Sequence, residues 1–377
     1  MSLFKQKIES YVGVDIGAQS MKVVELRRTK GRPQLWSYGL ADIPEFDPAP
    51  FLSDGILPSN VSAHSAATPA VTDAAAAWEL EFSDERADHY GELLSELMHR
   101  SHIVGKRVAS SLPVSQVFHT IINLPPVPEK EIDHLVKSEI AKVLPRPIDE
   151  MQIVYQAVPL TEEMKKNYTR LLVTAAPKKV VAFYSRIFAK AGLSLQELET
   201  EAFALARSLV GKDESLTMLV AIGATRTNFS LVDKGLPMTE RGLQIGGETL
   251  DAVIAERLGV TPKEAAMFKH DLANSPVVIG AEPFMRFLEP IAKEIQHNFD
   301  TYLSQTGNEG RKPEKIVLTG GGAEFPVVAE YLKNQFPMRV FVGDPWARIL
   351  HQDALRPILH EIAPRLATAL GLALRNF

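Results

Sequence analysis

Three stretches of the chain carry residue types suited to holding a polyphosphate. The first, VGVDIGAQSMKVVEL at 12–26, places Asp15, Gly17, Ser20 and Lys22 between two apolar runs. Backbone N–H groups approach a phosphate closely only where small residues line the turn. Gly17 and Ala18, with Gln19 beside them, supply such a turn. Asp15 is placed to hold Mg²⁺ through water, since that ion takes few carboxylates and keeps much of its hydration. Ser20 offers a hydroxyl, and Lys22 a point charge for a β-phosphate.

The second stretch, SLTMLVAIGATRTNFSLVDKG at 215–235, repeats this layout. An apolar run leads to Gly223 and Ala224, and the return run carries Thr225, Thr227 and Asn228. The third, EKIVLTGGGAEFPVVAEYLKNQF at 314–336, reads as a strand, three glycines and a helix. Gly320, Gly321 and Gly322 let the chain pass against a base or ribose, with a helix N-terminus close by. Each stretch alone is also compatible with an ordinary hairpin or a flexible loop. Their order and spacing together suit a cleft between two related halves, each opening with a strand–glycine turn–strand unit.

The elements around these stretches read as α/β. A further strand is expected over 34–44, and strands over 106–113 and 116–125. Apolar residues at helical spacing predict helices over 84–100 and 128–145. Glu129 and Glu131 fall in the first turn of the second helix, where acids suit the helix dipole. Two strands and a helix ending at Gly192 follow, which makes 116–192 a small α/β module. Helices are expected over 200–210, through most of 248–312 and at the C-terminus. Residues 47–77 are rich in Ala, Pro, Ser and Asp, show no period and read as a loop insertion.

Size and composition bound the function. At ~150 residues per domain, 377 residues predict two or three domains. A net charge of -5 gives no nucleic-acid footprint. The absence of cysteine excludes disulfides, thiolate metal sites and cysteine nucleophiles, and suits a reducing compartment. The N-terminus lacks the apolar core of a signal peptide, and no run reaches the ~18 apolar residues of a membrane span. A cytoplasmic location is expected, reached at a membrane through partners. His119, His134, His297 and His351 form no metal-ligand spacing and read as surface or packing residues.

The layout resembles the actin-like ATPase superfamily, whose fold is two ribonuclease H-like halves around a nucleotide cleft. DIGAQSMKVVEL resembles its first phosphate motif, LVAIGATRTNFSLV its second, and IVLTGGGAEFPVVAEYL its adenosine motif. ETEAFALARSL and APRLATALGLALR resemble its two connecting helices. Within the superfamily the chain is similar to the PilM family of type IV pilus assembly proteins, of the FtsA/PilM group. LPPVPEKEIDHLVKSEIAKVLPRPIDEMQIVYQAV at 124–158, LQIGGETLDAVIAERLGVTPKEAAMFK at 243–269 and LATALGLALR at 366–375 carry that likeness, which covers nearly everything except 47–90.

The resemblance implies a division into a first half over 10–115, a 1C-like subdomain over 116–192 and a return to the first half over 193–212. The second half then runs over 213–237 and 313–360, with a helical 2B-like subdomain at 238–312, and a closing helix at 361–377. It implies ATP and Mg²⁺ in the cleft, and adds Gly246, Gly247, Glu248 and Lys269 to the nucleotide site. It implies a partner, the cytoplasmic N-terminal peptide of a PilN-like inner-membrane protein, within a pilus platform complex. The groove for that peptide is expected between the 1A-like and 1C-like subdomains, around the strand 116–124, the helix 128–144 and the strand 151–157, with Val117, Ile121, Leu135, Ile140 and Leu144 supplying its apolar lining. Self-association is open, as are a related secretion-system platform protein, an FtsA-like polymer and a sugar kinase-like enzyme. One departure matters. The second phosphate motif normally opens on an acid, and here it reads Ala221-Ile222-Gly223. Alanine can order neither Mg²⁺ nor an attacking water, so binding with weak or absent hydrolysis is expected and no catalytic residue stands out.

Overall fold

A computed structural model describes residues 9–42, 82–160, 167–273, 280–305, 307–308 and 310–377. The expected insertion at 47–77 lies outside the described residues. Strands β1 (Ser10–Ile16), β2 (Ser20–Thr29), β3 (Arg32–Asp42), β4 (Arg107–Leu112) and β8 (Ser194–Thr200) form one sheet, in the order β3-β2-β1-β4-β8. Strands β9 (Thr217–Ile222), β10 (Thr227–Asp233), β11 (Leu236–Leu243), β12 (Lys315–Thr319) and β13 (Arg339–Val342) form a second, in the order β11-β10-β9-β12-β13. The two sheets share one topology. Each is an antiparallel meander of three strands whose first strand also pairs in parallel with the fourth, and the fourth with the fifth.

Side chains alternate across a strand, so a strand covered on both faces needs apolar groups at every position. β1 and β2 meet that need with two sets. Val12, Val14, Ile16, Met21 and Val23 pack against helices α1 (Asp84–Arg100) and α3 (Lys178–Lys190). Val24 and Leu26 face the C-terminal helix α9 (Arg356–Ala373). The second sheet is built the same way. Met218, Val220, Ile222 and Phe229 face α5 (Gly247–Leu258), α7 (Met285–Leu303) and α8 (Pro326–Gln335). Leu219, Val232 and Val317 face α4 (Glu201–Leu205), its continuation over 206–210, and Ala367 of α9. The order of layers is therefore helix, sheet, helix, sheet, helix, with α4 and α9 between the sheets.

The contact of α9 with β1 is backbone on backbone. A Cβ at Gly13 would lie 1.9 Å from the Ala369 carbonyl oxygen, and one at Gly371 would lie 2.0 Å from the Ala204 carbonyl oxygen. Helix α9 also starts earlier than expected, at Arg356, and carries Pro364 inside it. Proline lacks the N–H that an interior helical residue donates, but the Pro364 carbonyl gains two external donors, the Gly320 N–H and the Thr319 hydroxyl, each at 3.0 Å.

Between β4 and β8 lies a third sheet, in the order β5-β7-β6, formed by β5 (Phe118–Leu124), β6 (Met151–Ala157) and β7 (Thr169–Pro177). Helix α2 (Glu129–Ala141) covers it with Val136 and Ile140. Helix α3, which closes the segment 116–192, packs on α1 in the first core rather than on this sheet. Among the described residues no helix is long and apolar enough to cross a membrane.

Candidate functional site

A cavity of about 1040 Å³ opens between the two halves. It is walled by the β1–β2 turn, the β9–β10 turn, the start of α5, helix α6 (Pro262–Ala273), the glycine loop after β12, and α9. The two turns close identically. The Gly17 N–H donates to the Ser20 carbonyl at 2.9 Å, and the Gly223 N–H donates to the Arg226 carbonyl at 2.8 Å. The sequence duplication is thus a geometric one.

Most of the expected nucleotide residues line this cavity. They are Asp15, Gly17, Ala18, Gln19, Ser20, Lys22, Gly223, Ala224, Thr225, Gly247, Glu248, Lys269 and Gly320 to Gly322. Two do not. Thr227 is fully buried, and its hydroxyl donates to the Ile245 carbonyl at 2.7 Å. Gly246 lies against the second turn, where a Cβ would sit 2.5 Å from the Ala224 carbonyl oxygen. Its role is a close backbone approach, which lets the Gly247 and Glu248 N–H groups donate to the Gly223 and Ala224 carbonyls.

In the first turn, Lys22 Nζ lies 3.1 Å from Asp15 Oδ2, and both side chains are nearly buried. A Cβ at Gly17 would come within 2.9 Å of Lys22 Nζ, so the glycine leaves room for the ammonium. Across the cleft, the Gln19 amide donates to the Glu248 carboxylate and joins the two halves. In α6, Lys269 Nζ pairs with Asp251 at 2.7 Å. Burial and the neighbouring Asp251 raise the Glu248 pKa, opposed by Lys269.

The three glycines do different jobs. Gly320 has φ +82°, and its Cβ would meet the Ile222 carbonyl oxygen at 2.4 Å. A Cβ at Gly322 would meet Ile222 Cγ2 at 2.2 Å. Gly321 is exposed to the cavity, with Arg365 Cγ at 3.9 Å as the nearest neighbour of its would-be Cβ. Two glycines seat the loop on Ile222, and the third keeps the cavity wall flat.

The structure adds residues that the motifs did not mark. Glu201, Arg226, Asp251, Glu324 and Arg365 all line the cavity, as does Asn228 of the return strand. Glu201 is the most informative. It begins α4, in a segment legible only as a connecting helix, and its Oε2 accepts from Asn228 Nδ2 at 2.9 Å. Burial and the Asp15 carboxylate push its pKa from 4.5 up to about 7. Two neighbouring carboxylates that resist joint ionisation suit a divalent cation. Among the described residues no group of three or more acids or histidines could hold a metal alone. Mg²⁺ fits such a site, since it is commonly held by one or two carboxylates plus waters and phosphates.

The raised pKa makes stability depend on pH. Between 4.5 and about 7 the folded chain retains a proton on Glu201 that the unfolded chain has lost. Stability from this group therefore falls as pH rises through that window. Urea midpoints of the metal-free protein measured across the window should show this decline, and Glu201→Gln should flatten it.

The expected peptide groove needs correction. Val117 and Ile140 are 1% and 0% exposed and serve the cores of the first half and of the module. Ile121 packs against the second-half core, and Leu135 and Leu144 against the module's own core. Val117 and Ile140 are thus core positions, whereas Ile121, Leu135 and Leu144 pack on a core with part of each side chain still accessible. Among the described residues of the module, the large apolar groups left exposed are Val154 and Tyr155 on the edge strand β6, and Val143 just after α2.

Comparison with known proteins agrees with this architecture. A family model described as type IV pilus assembly protein PilM matches residues 71–377. A solved PilM–PilN type IV pilus biogenesis complex is similar over 97% of this chain and 98% of that one, at 22% identity and a TM-score of 0.74. The ethanolamine utilization protein EutJ from Carboxydothermus hydrogenoformans is similar over 97% and 90%, at 16% identity and a TM-score of 0.50.

Proposed function

The chain belongs to the family of type IV pilus assembly protein PilM and has the actin-like ATPase fold, and from that premise we propose a nucleotide-binding adaptor of the pilus inner-membrane platform. The observation that carries the reading is the pair of equivalent turns facing one cavity with the glycine loop. ATP lies with its phosphates between the turns at Gly17 and Gly223, near Lys22. Its adenosine lies along Gly320 to Gly322, within reach of Glu248 and Lys269. Mg²⁺ is held by Asp15 and Glu201 and neutralises phosphate charge.

The partner is the cytoplasmic N-terminal peptide of a PilN-like inner-membrane protein. The resemblance to a PilM–PilN complex supports it, and the edge of β6 beside Val154 and Tyr155, which pairs with no further strand among the described residues, suits strand addition by an extended peptide. Anisotropy of a labelled peptide of that class tests this directly, and an affinity unmoved by Val154→Asp would move the site elsewhere.

Turnover is slow. Ala221 lines the cavity at the end of β9, where a further carboxylate would order water. Phosphoryl transfer depends on positioning and electrostatics, so Glu201 and Asp15 alone favour binding over hydrolysis. Ala221→Asp is expected to raise phosphate release by on the order of 10²-fold, within the usual worth of one positioned acid or base. Rapid release by the wild type would reject the adaptor reading in favour of an enzyme.

A further inference from the structure

His119, a packing residue by sequence, sits where three parts of the molecule meet. It lies on β5 of the small module, with its side chain 2% exposed. Its Nε2 is 2.9 Å from the Pro237 carbonyl oxygen of β11. A carbonyl only accepts, so Nε2 donates and Nδ1 is left facing Thr174 Oγ1 at 3.4 Å and Glu240 Oε1 at 3.7 Å. Glu240, on β11 of the second half, is 1% exposed in its side chain. Its Oε1 accepts from the Thr200 hydroxyl at the end of β8 in the first half. Its Oε2 has no hydrogen-bond partner among the described residues. Thr200 is followed directly by Glu201, the carboxylate that faces the cleft, and the Glu240 charge acts on Glu201.

A second tie runs beside this one. Arg170 of β7, 4% exposed, donates to Asn308 Oδ1 at 3.0 Å, and Asn308 donates to the Tyr302 carbonyl at the end of α7. Apolar contacts follow the same division. Val117 and Ala176 belong to the core of the first half, whereas Ile121 and Val158 pack on that of the second. The module therefore rests on both halves, and any change in their separation must shift it. A buried carboxylate oxygen without a partner costs stability, so the joint sits in a state that small displacements can improve or worsen.

We propose that the Thr200–Glu240–His119 joint couples the cleft to the three-stranded module, so that filling the cleft and filling the module's outer edge are linked. The inference rests on the nucleotide and peptide reading for its ligands, but not for its geometry. Linkage is reciprocal, so each ligand changes the other's affinity by the same factor. His119 and Glu240 are positioning residues here. Neither lines the cavity.

The test is a double-mutant cycle in the full chain, read by amide hydrogen exchange over 118–124. Glu201→Gln perturbs the cleft and His119→Gln the module end of the joint. Glu201→Gln should change exchange in that segment by about threefold or more, and the change should vanish in the His119→Gln background. The departure from additivity then equals the change that is lost, and about threefold or more lies within the range for residues in one network. Additive effects would overturn the proposal. Where His119→Gln fails to fold, Thr174→Val removes one of the ring's partners and serves the same cycle. A second arm adds ATP with Mg²⁺. Slower exchange over 118–124 in the wild type, and none in His119→Gln, supports the joint. Slowing that survives in His119→Gln defeats it. Failure of the wild type to bind ATP defeats only the nucleotide reading, and the cycle alone then decides the joint.

Discussion

Gly13→Ala is expected to destabilise the protein by about 3 kcal/mol, the upper end for forcing an extra carbon into a packed core. The new Cβ would lie 1.9 Å from the Ala369 carbonyl oxygen, 2.6 Å from the Ala373 nitrogen and 2.9 Å from Leu372 Cβ. Two of those atoms are backbone in the last two turns of α9, so no rotamer change relieves the clash. Helix α9 cannot retreat either. Its opposite side carries Gly371 against the Ala204 carbonyl, and retreat would uncover Ala363, Leu366 and Leu370, which are buried against β2 of the same sheet. Separation of α9 from β1 would also disturb the Pro364 carbonyl that anchors the glycine loop. Gly13→Ala should therefore lose ATP affinity along with stability, although Gly13 itself does not line the cavity. Gly280→Ala is the control. None of the described residues lies within 4 Å of a Cβ there, and its effect should stay within about 0.5 kcal/mol. Chemical denaturation of both variants measures the contrast. Equal midpoints would show that α9 does not hold its close seat on β1.

Lys22→Ala should leave the fold in place and weaken ATP binding by roughly 10- to 100-fold, the worth of one charge-assisted hydrogen bond. Lys22 is the cation of the first turn, and the glycine at position 17 leaves space for its Nζ. Without ligand it neutralises Asp15. With its removal, Asp15 and Glu201 face each other with less compensation, since Lys22 is among the charges that lower the Glu201 pKa. The variant should consequently depend more steeply on Mg²⁺ than the wild type does. Titration with a fluorescent ATP analogue at two metal concentrations checks both effects. An affinity within twofold of wild type would place the phosphates away from the β1–β2 turn.

What could be read in advance follows from where each constraint lies. The two turns and the glycine loop need small residues close together in the chain, so the motifs at 12–26, 215–235 and 314–336 were legible. The glycine at 13 was not, because its need arises from a helix more than 340 residues away in the chain. Strands β8 and β11 were also missed. SLQELET and LPMTERGL carry charges or a proline where strand alternation is usually sought. Both run at places where polar side chains find partners across the molecule, such as the pair formed by Thr200 and Glu240. Helix α9 was expected to start too late because proline normally marks a helix boundary, and the external donors to Pro364 are tertiary. Glu201 had no local signal either. A glutamate at a helix start is ordinary until the fold brings Asp15 and Asn228 to it. The module's apolar pattern was legible, but a pattern cannot separate a core from a groove, and Val117 and Ile140 proved to be core.

The central claim is that the cavity between the halves holds ATP. Isothermal calorimetry of the wild type with ATP, with Mg²⁺ and then with the metal chelated, tests it most directly. One molecule bound per chain with micromolar affinity, weakened when the metal is removed, is the predicted result. No heat of binding at millimolar ATP, in a chain shown to be folded by its cooperative unfolding, would contradict the claim.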